Sequence, residues 1–155
     1  LVVGKGNAGL AAAQTLLAMN VPANHITILD SNPSRVDHDS PFLEDVCKEE
    51  SIYRAISQAD IVIGAAAAPH KLAPKVITRK LLAHMPAGGV LVDISVDEGG
   101  IAETTRPTTH TDPTFEEMGI VHYCVPNMPG SVPRRATEAL SRAAYPYLLD
   151  FIRSL

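Results

Sequence analysis

The chain opens Leu1-Val2-Val3-Gly4-Lys5-Gly6-Asn7-Ala8-Gly9-Leu10, and this stretch constrains the fold more than any other. Three apolar residues run into Gly-x-Gly-x-x-Gly, and an Ala- and Leu-rich run follows without a break. That order predicts a buried strand, a tight turn and the first turn of a helix. Gly4 permits the bend, Gly6 lets a pyrophosphate approach the backbone, and Gly9 lets helix and strand lie close together. Free N–H groups at the helix start offer partial positive charge to phosphate. Gly-rich turns are common, so the motif takes its weight from its place between strand and helix, and from an acid about twenty residues later.

That acid is Asp30, at the end of the β-branched run Ile26-Thr27-Ile28-Leu29. A carboxylate at a second strand's end is placed to take both hydroxyls of an adenosine ribose, and it repels a 2′-phosphate, which favours NAD over NADP. The plainer alternative is a solvated strand end or a helix cap. Arg35, after the turn Ser31-Asn32-Pro33-Ser34, is positioned either to meet a phosphate or to lie along the adenine.

Between these marks, Ala8 to Met19 reads as a helix of good helix formers, stopped by Asn20 and Pro22. Residues 31–50 are less legible. Asp37, His38 and Asp39 offer metal donors, but adjacent residues rarely converge on one ion, and no metal site is expected. Leu43 to Glu50 reads as a short helix, and Ser51 to Ala59 as a better one with Ser51 as N-cap. Asp60 to Ala65 is an apolar strand of the kind buried on both faces of a parallel sheet. The alanines after it leave room for a ligand at a strand's carboxyl end. Val76 to Met85 predicts a helix, and Val90 to Ile94 the next strand. The alternation is that of an α/β doubly wound parallel sheet.

At 155 residues the chain fits one domain, and a net charge of −4 gives no general attraction to nucleic acid or to an anionic membrane. No apolar stretch approaches the ~20 residues of a spanning helix. Two cysteines, Cys47 and Cys124, are too few for a disulfide framework and read as core thiols of a cytoplasmic protein. The chain starts inside an apolar strand without Met, and the expectation is a domain of a longer polypeptide.

Past Ile94 the character changes. Ser95-Val96-Asp97-Glu98-Gly99-Gly100 and Glu103-Thr104-Thr105-Arg106-Pro107-Thr108-Thr109-His110 have no hydrophobic period, and long irregular segments inside compact domains are usually functional. Gly119 to Val125 then reads as a strand, ending in Pro126-Asn127-Met128-Pro129-Gly130.

The runs Asp93 to His110, His122-Tyr123-Cys124 and Asn127 to Gly130 resemble the alanine dehydrogenases, in the family that also holds the NAD-binding component of nicotinamide nucleotide transhydrogenase. The resemblance covers nearly the whole chain and implies a Rossmann-type NAD-binding domain over 1–130. Residues 131–155 would be a helical segment returning to a substrate domain. The implied reaction is reversible oxidative deamination of L-alanine to pyruvate and ammonia: hydride passes from the substrate Cα to NAD, and water attacks the resulting imine. In this resemblance Gly4, Gly6 and Gly9 match the pyrophosphate loop, and Asp30 the ribose carboxylate. Ala65 and Ala66 fall beside the cofactor, Ile94 and Val96 shape the nicotinamide pocket, and Asn127 and Met128 flank the ring. Asp97 matches the acid beside nicotinamide and substrate and becomes the catalytic candidate, with a turn cap as its plainer reading. Arg106 and His110 are expected to brace the site rather than act in it.

Two departures accompany the resemblance. Glu98 stands where the family usually has Gln, and the span from Asp30 to Ser51 is compressed, which predicts a short or missing strand. The whole protein is expected to be a homo-oligomer acting on a small molecule. The alternatives are an NAD-binding module of transhydrogenase type without amino-acid chemistry and, more weakly, a dehydrogenase that joins a keto acid to a larger amine. The last segment carries an apolar stripe, Ala136, Leu140, Ala143, Tyr147 and Phe151, with Pro146 expected to kink or split the helix.

Overall fold

The computed structural model describes residues 1–68 and 71–155. The strands are β1 (Val2–Val3), β2 (Thr27–Asp30), β3 (Leu43–Val46), β4 (Ile61–Gly64), β5 (Val90–Asp93), β6 (Thr114–Glu117) and β7 (Ile120–Tyr123). The helices are α1 (Asn7–Ala18), α2 (Glu49–Ile56), α3 (Arg79–Leu82) and α4 (Pro133–Arg153). One seven-stranded sheet has the order β3-β2-β1-β4-β5-β7-β6, parallel throughout except for β6, which pairs antiparallel with β7. The chain works outward from β1 to β3, returns to β4 on the other side of β1, and works outward to β5, after which the β6–β7 hairpin folds back to set β7 beside β5. This is the expected doubly wound sheet, and its switch point lies between β1 and β4.

Alternation along the central strands divides the core in two. Val3, Leu29 and Val62 face a layer with Ile52 and Ile56 of α2, Leu82 of α3, and Ile77, Leu91 and Ile101. Val2, Ile28 and Ile63 face the opposite way, onto Ala13 of α1, Ile26 and Phe42. Fully burying one such aliphatic side chain contributes about 1.5–3 kcal/mol.

Several local expectations are corrected. A strand is present in the compressed span: residues 43–46 form β3 rather than the start of a helix. Its sequence Leu-Glu-Asp-Val carries no buried-strand signature because β3 is an edge, hydrogen-bonded only to β2. Helix α2 begins at Glu49, and Ser51 is not its N-cap but accepts from the Lys48 amide at 3.0 Å from inside the first turn. The helix expected over 76–85 shrinks to one turn, α3, capped by the Thr78 hydroxyl accepting from the Leu81 amide. Ile77 is β-branched and bridges to Ala102 instead, through Ile77 N–H to the Ile101 carbonyl and Glu103 N–H to the Ile77 carbonyl. Strand β6, between His110 and Gly119 where no element is expected, closes a hairpin onto β7.

Helix α4 is continuous through Pro146, so the proline does not split it. The backbone carbonyl that Pro146 leaves without a donor belongs to Arg142, on an exposed face where water can satisfy it. Leu140, Tyr147 and Phe151 of the apolar stripe stand 71%, 78% and 62% exposed.

Candidate functional site

The Gly-rich turn is built by contacts only glycine allows. Gly4 has φ of +103°, and a Cβ there would sit 2.6 Å from the Ala65 carbonyl oxygen. A Cβ on Gly9 would lie inside the Gly4 carbonyl group and 3.3 Å from Val2 Cγ1. Gly6 differs: nothing lies within 4 Å of its missing Cβ, so its outer side is open. Gly6 is also the N-cap of α1, with no side chain capping the first turn. The leading N–H groups of that helix are thus left for an anion.

A cleft of about 600 Å³ opens at the switch point. Val3, Gly4 and Gly6 line it from the first turn, and Leu29, Asp30, Ser31 and Arg35 from the second strand and the residues after it. Ala65 to Ala68 form the side beyond β4, with Pro74, Val76 and Glu98 opposite and Cys47 completing the wall. Its size falls in the ordinary range for small-molecule sites.

Asp30 is 6% exposed. Its Oδ2 accepts from the Lys5 amide at 2.7 Å, its Oδ1 accepts from the Asn32 amide at 2.8 Å, and Arg35 Nη1 lies 3.6 Å from Oδ2. A carboxylate has about four acceptor positions, so lone pairs remain for the hydroxyls of a ribose. The open Gly6, the uncapped first turn and this carboxylate together fit a dinucleotide.

Beyond β5 the chain turns through a short 3-10 helix, Ile94–Glu98, ended by Gly99 with φ of +94°. Asp97 is exposed on it, and its Oδ2 accepts from the Asn127 amide at 3.0 Å. Asn127 has φ of 51°, and Met128 begins the next 3-10 turn, half-buried. Ile94 is half-buried and packs against the α1-side core layer, while Val96 is buried; neither lines the cleft.

Three features were not anticipated. Asp93, wholly buried at the end of β5, accepts from the Ser95 and Ile101 amides and from the Thr105 hydroxyl. Lys5 Nζ reaches Glu44 of β3 at 2.7 Å. The thiols differ: Cys124 is a core residue, as expected, but Cys47 is half-buried and faces the cleft. Arg106 lies with its guanidinium 3.9 Å from the centre of the Phe115 ring, which stacks on buried His122. The His122 Nδ1 meets the Ile120 carbonyl and its Nε2 the Thr104 hydroxyl, each at 2.8 Å. The Ile120 carbonyl only accepts, so Nδ1 carries a proton. His110 is exposed.

Residues 1–154 match the family model for "Alanine dehydrogenase/PNT, C-terminal domain". The chain belongs to this family. It is 42% identical over 154 residues to the alanine dehydrogenase of Mycolicibacterium smegmatis, covering 96% of this chain and 41% of that protein. The Halomonas elongata alanine dehydrogenase is 39% identical over 153 residues, covering 96% of this chain and 40% of that protein. A solved L-alanine dehydrogenase superposes with a TM-score of 0.86 at 36% identity, over 98% of this chain and 43% of that one. A transhydrogenase from Sinorhizobium meliloti shares the fold, with a TM-score of 0.80 at 24% identity over 97% of this chain and 43% of its own. The chain spans about two fifths of the length of its alanine dehydrogenase relatives. Among the described residues no helix is long and apolar enough to cross a membrane.

Proposed function

We propose that this chain is the NAD-binding domain of an L-alanine dehydrogenase, in a protein that interconverts L-alanine with pyruvate and ammonia. In this reading residues 1–130 hold the dinucleotide, and α4 leads back to a substrate domain against which its apolar stripe lies. The observation that carries it is the bond from the Asn127 amide to Asp97, which joins the two loops at the sheet's carboxyl edge.

Gly4, Gly6 and Gly9 with the first turn of α1 hold the diphosphate, and Asp30 holds the adenosine ribose. Arg35 lies along the adenine, and Ala65 and Ala66 leave room beside the cofactor. Ile94 and Val96 back the nicotinamide end, and Asn127 and Met128 flank it. Bound there, NAD supplies the hydride acceptor. With Oδ2 occupied by the Asn127 amide, Asp97 keeps Oδ1 free to orient a water or the substrate amine and to exchange a proton with it, a general acid–base role. Glu98, on the cleft wall, carries no part in the chemistry.

Asp97→Asn in the full-length protein keeps the shape and removes the base. Alanine deamination is expected to fall by about a hundredfold or more, while NADH binding stays within about twofold. Unchanged deamination would leave a nucleotide-binding module of transhydrogenase type as the better reading.

A further inference from the structure

Two cations stand near the carboxylate of Asp30, and each is already engaged. Arg35 lies beside Asp30 itself, its side chain 56% exposed. Lys5, whose own amide donates to Asp30, sends its ammonium away to Glu44. The Glu44 side chain is 1% exposed and that of Lys5 16%. The same Glu44 Oε2 also accepts from the Asp37 amide at 2.8 Å, which ties the segment after β2 to the Gly-rich turn. Gly4 and Gly6 line the cleft, and Lys5 between them does not.

We propose that Glu44 is a cofactor-selectivity residue: by holding the Lys5 ammonium under the 31–42 segment, it keeps that cation from the 2′ position of a bound ribose. A 2′-phosphate would bring close to two negative charges at neutral pH. It would meet Asp30 with Lys5 turned away and only Arg35 at hand to offset the like-charge contact, which discriminates against it. A lysine has a flexible stem and a compact charge, so releasing its tether lets it reach back to the residue where its backbone already touches Asp30. Glu44 Oε1 is buried without a partner, so among the described residues Lys5 is the one cation that neutralises this carboxylate. The pairing is conditional on Glu44 being ionised. Burial alone raises its carboxyl, but the hydrogen bond from Lys5, the nearby Ser40 hydroxyl, the Asp37 amide and the Lys5 charge together outweigh that and hold it below the usual glutamate value.

The inference rests on the dinucleotide reading of the cleft, and one experiment separates the two. NADH and NADPH are titrated by fluorescence against the full-length protein, its Glu44→Gln and Glu44→Thr variants, and the Lys5→Gln/Glu44→Gln double variant. Freed Lys5 is expected to lower the NADPH-to-NADH ratio of Kd values by about tenfold in the single variants, which is about 1.4 kcal/mol. The double variant should return to the parent ratio. A ratio within twofold of the parent in both single variants, or a gain that survives loss of Lys5, overturns the proposal while leaving NAD binding intact. A parent protein that binds neither nucleotide overturns the NAD reading itself, and this inference with it. Should neither single variant fold, the neutral double variant still tests the assignment: a shift toward NADPH in the absence of Lys5 overturns it.

Discussion

Asp93 Oδ2 accepts the Ile101 amide at 2.8 Å, closing the loop that carries Asp97 back onto the end of β5. The carboxylate is wholly buried and also takes the Ser95 amide and the Thr105 hydroxyl. Its place is guarded on one side by Gly100, where a Cβ would come within 2.6 Å of the same oxygen. Asp93→Ala would strand several buried donors, each costing about 1–3 kcal/mol. A loss of roughly 3 kcal/mol or more is expected, read from urea unfolding of the parent and the variant. Asp93→Asn keeps the shape and should lose less. Equal stability of the alanine variant and the parent would show that the loop does not hang on this residue.

Acid should weaken the Lys5–Glu44 clamp in a defined direction. Glu44 in the folded chain lies below its ordinary value of 4.5, so its ionised form is favoured by folding. The stability it contributes is therefore complete above about that ordinary value and is lost as pH falls through the lower, folded one. Stability followed from neutral pH downward should show an acid limb that is shallower in Glu44→Gln than in the parent. Parallel limbs would mean that this carboxylate does not contribute to acid sensitivity.

The two thiols should report the cleft. Burial and the neighbouring Asp30 push the Cys47 thiol up, and burial with Asp93 pushes Cys124 up to about 11. Neither is a ready thiolate at neutral pH, so iodoacetamide should label both slowly, and Cys47 first because it alone borders the cleft. Saturating NADH should slow labelling of Cys47 further and leave Cys124 unchanged, as followed by mass spectrometry of the peptides. Cys47 labelling that ignores NADH would place the adenosine elsewhere.

The parts that were legible in the sequence are those set by local chemistry. Gly4 and Gly9 stand where backbone contacts exclude a side chain, and Asp30 ends a β-branched run, so spacing alone marks them. The four central strands announce themselves by apolar runs because both faces are covered. The illegible parts depend on partners distant along the chain. Lys5 and Glu44 are 39 residues apart, and each looks like an ordinary surface charge in isolation. Ile77 belongs to a helical pattern until Ala102, 25 residues later, offers it a strand-like bridge. Asp93 reads as the end of an apolar strand, and only the folded loop shows that its carboxylate gathers the backbone around it.

The sheet ends on both sides in short strands rich in acid: Leu-Glu-Asp-Val in β3 and Thr-Phe-Glu-Glu in β6. Asp45 and Glu117 are each matched by an arginine of their own chain, Arg54 and Arg79, while Glu116 is exposed. Were two copies to meet margin to margin, these ion-paired side chains and the exposed Glu116 would crowd the line where backbone pairing would have to form. Edge-to-edge pairing of one sheet with the next is thereby disfavoured along both rims.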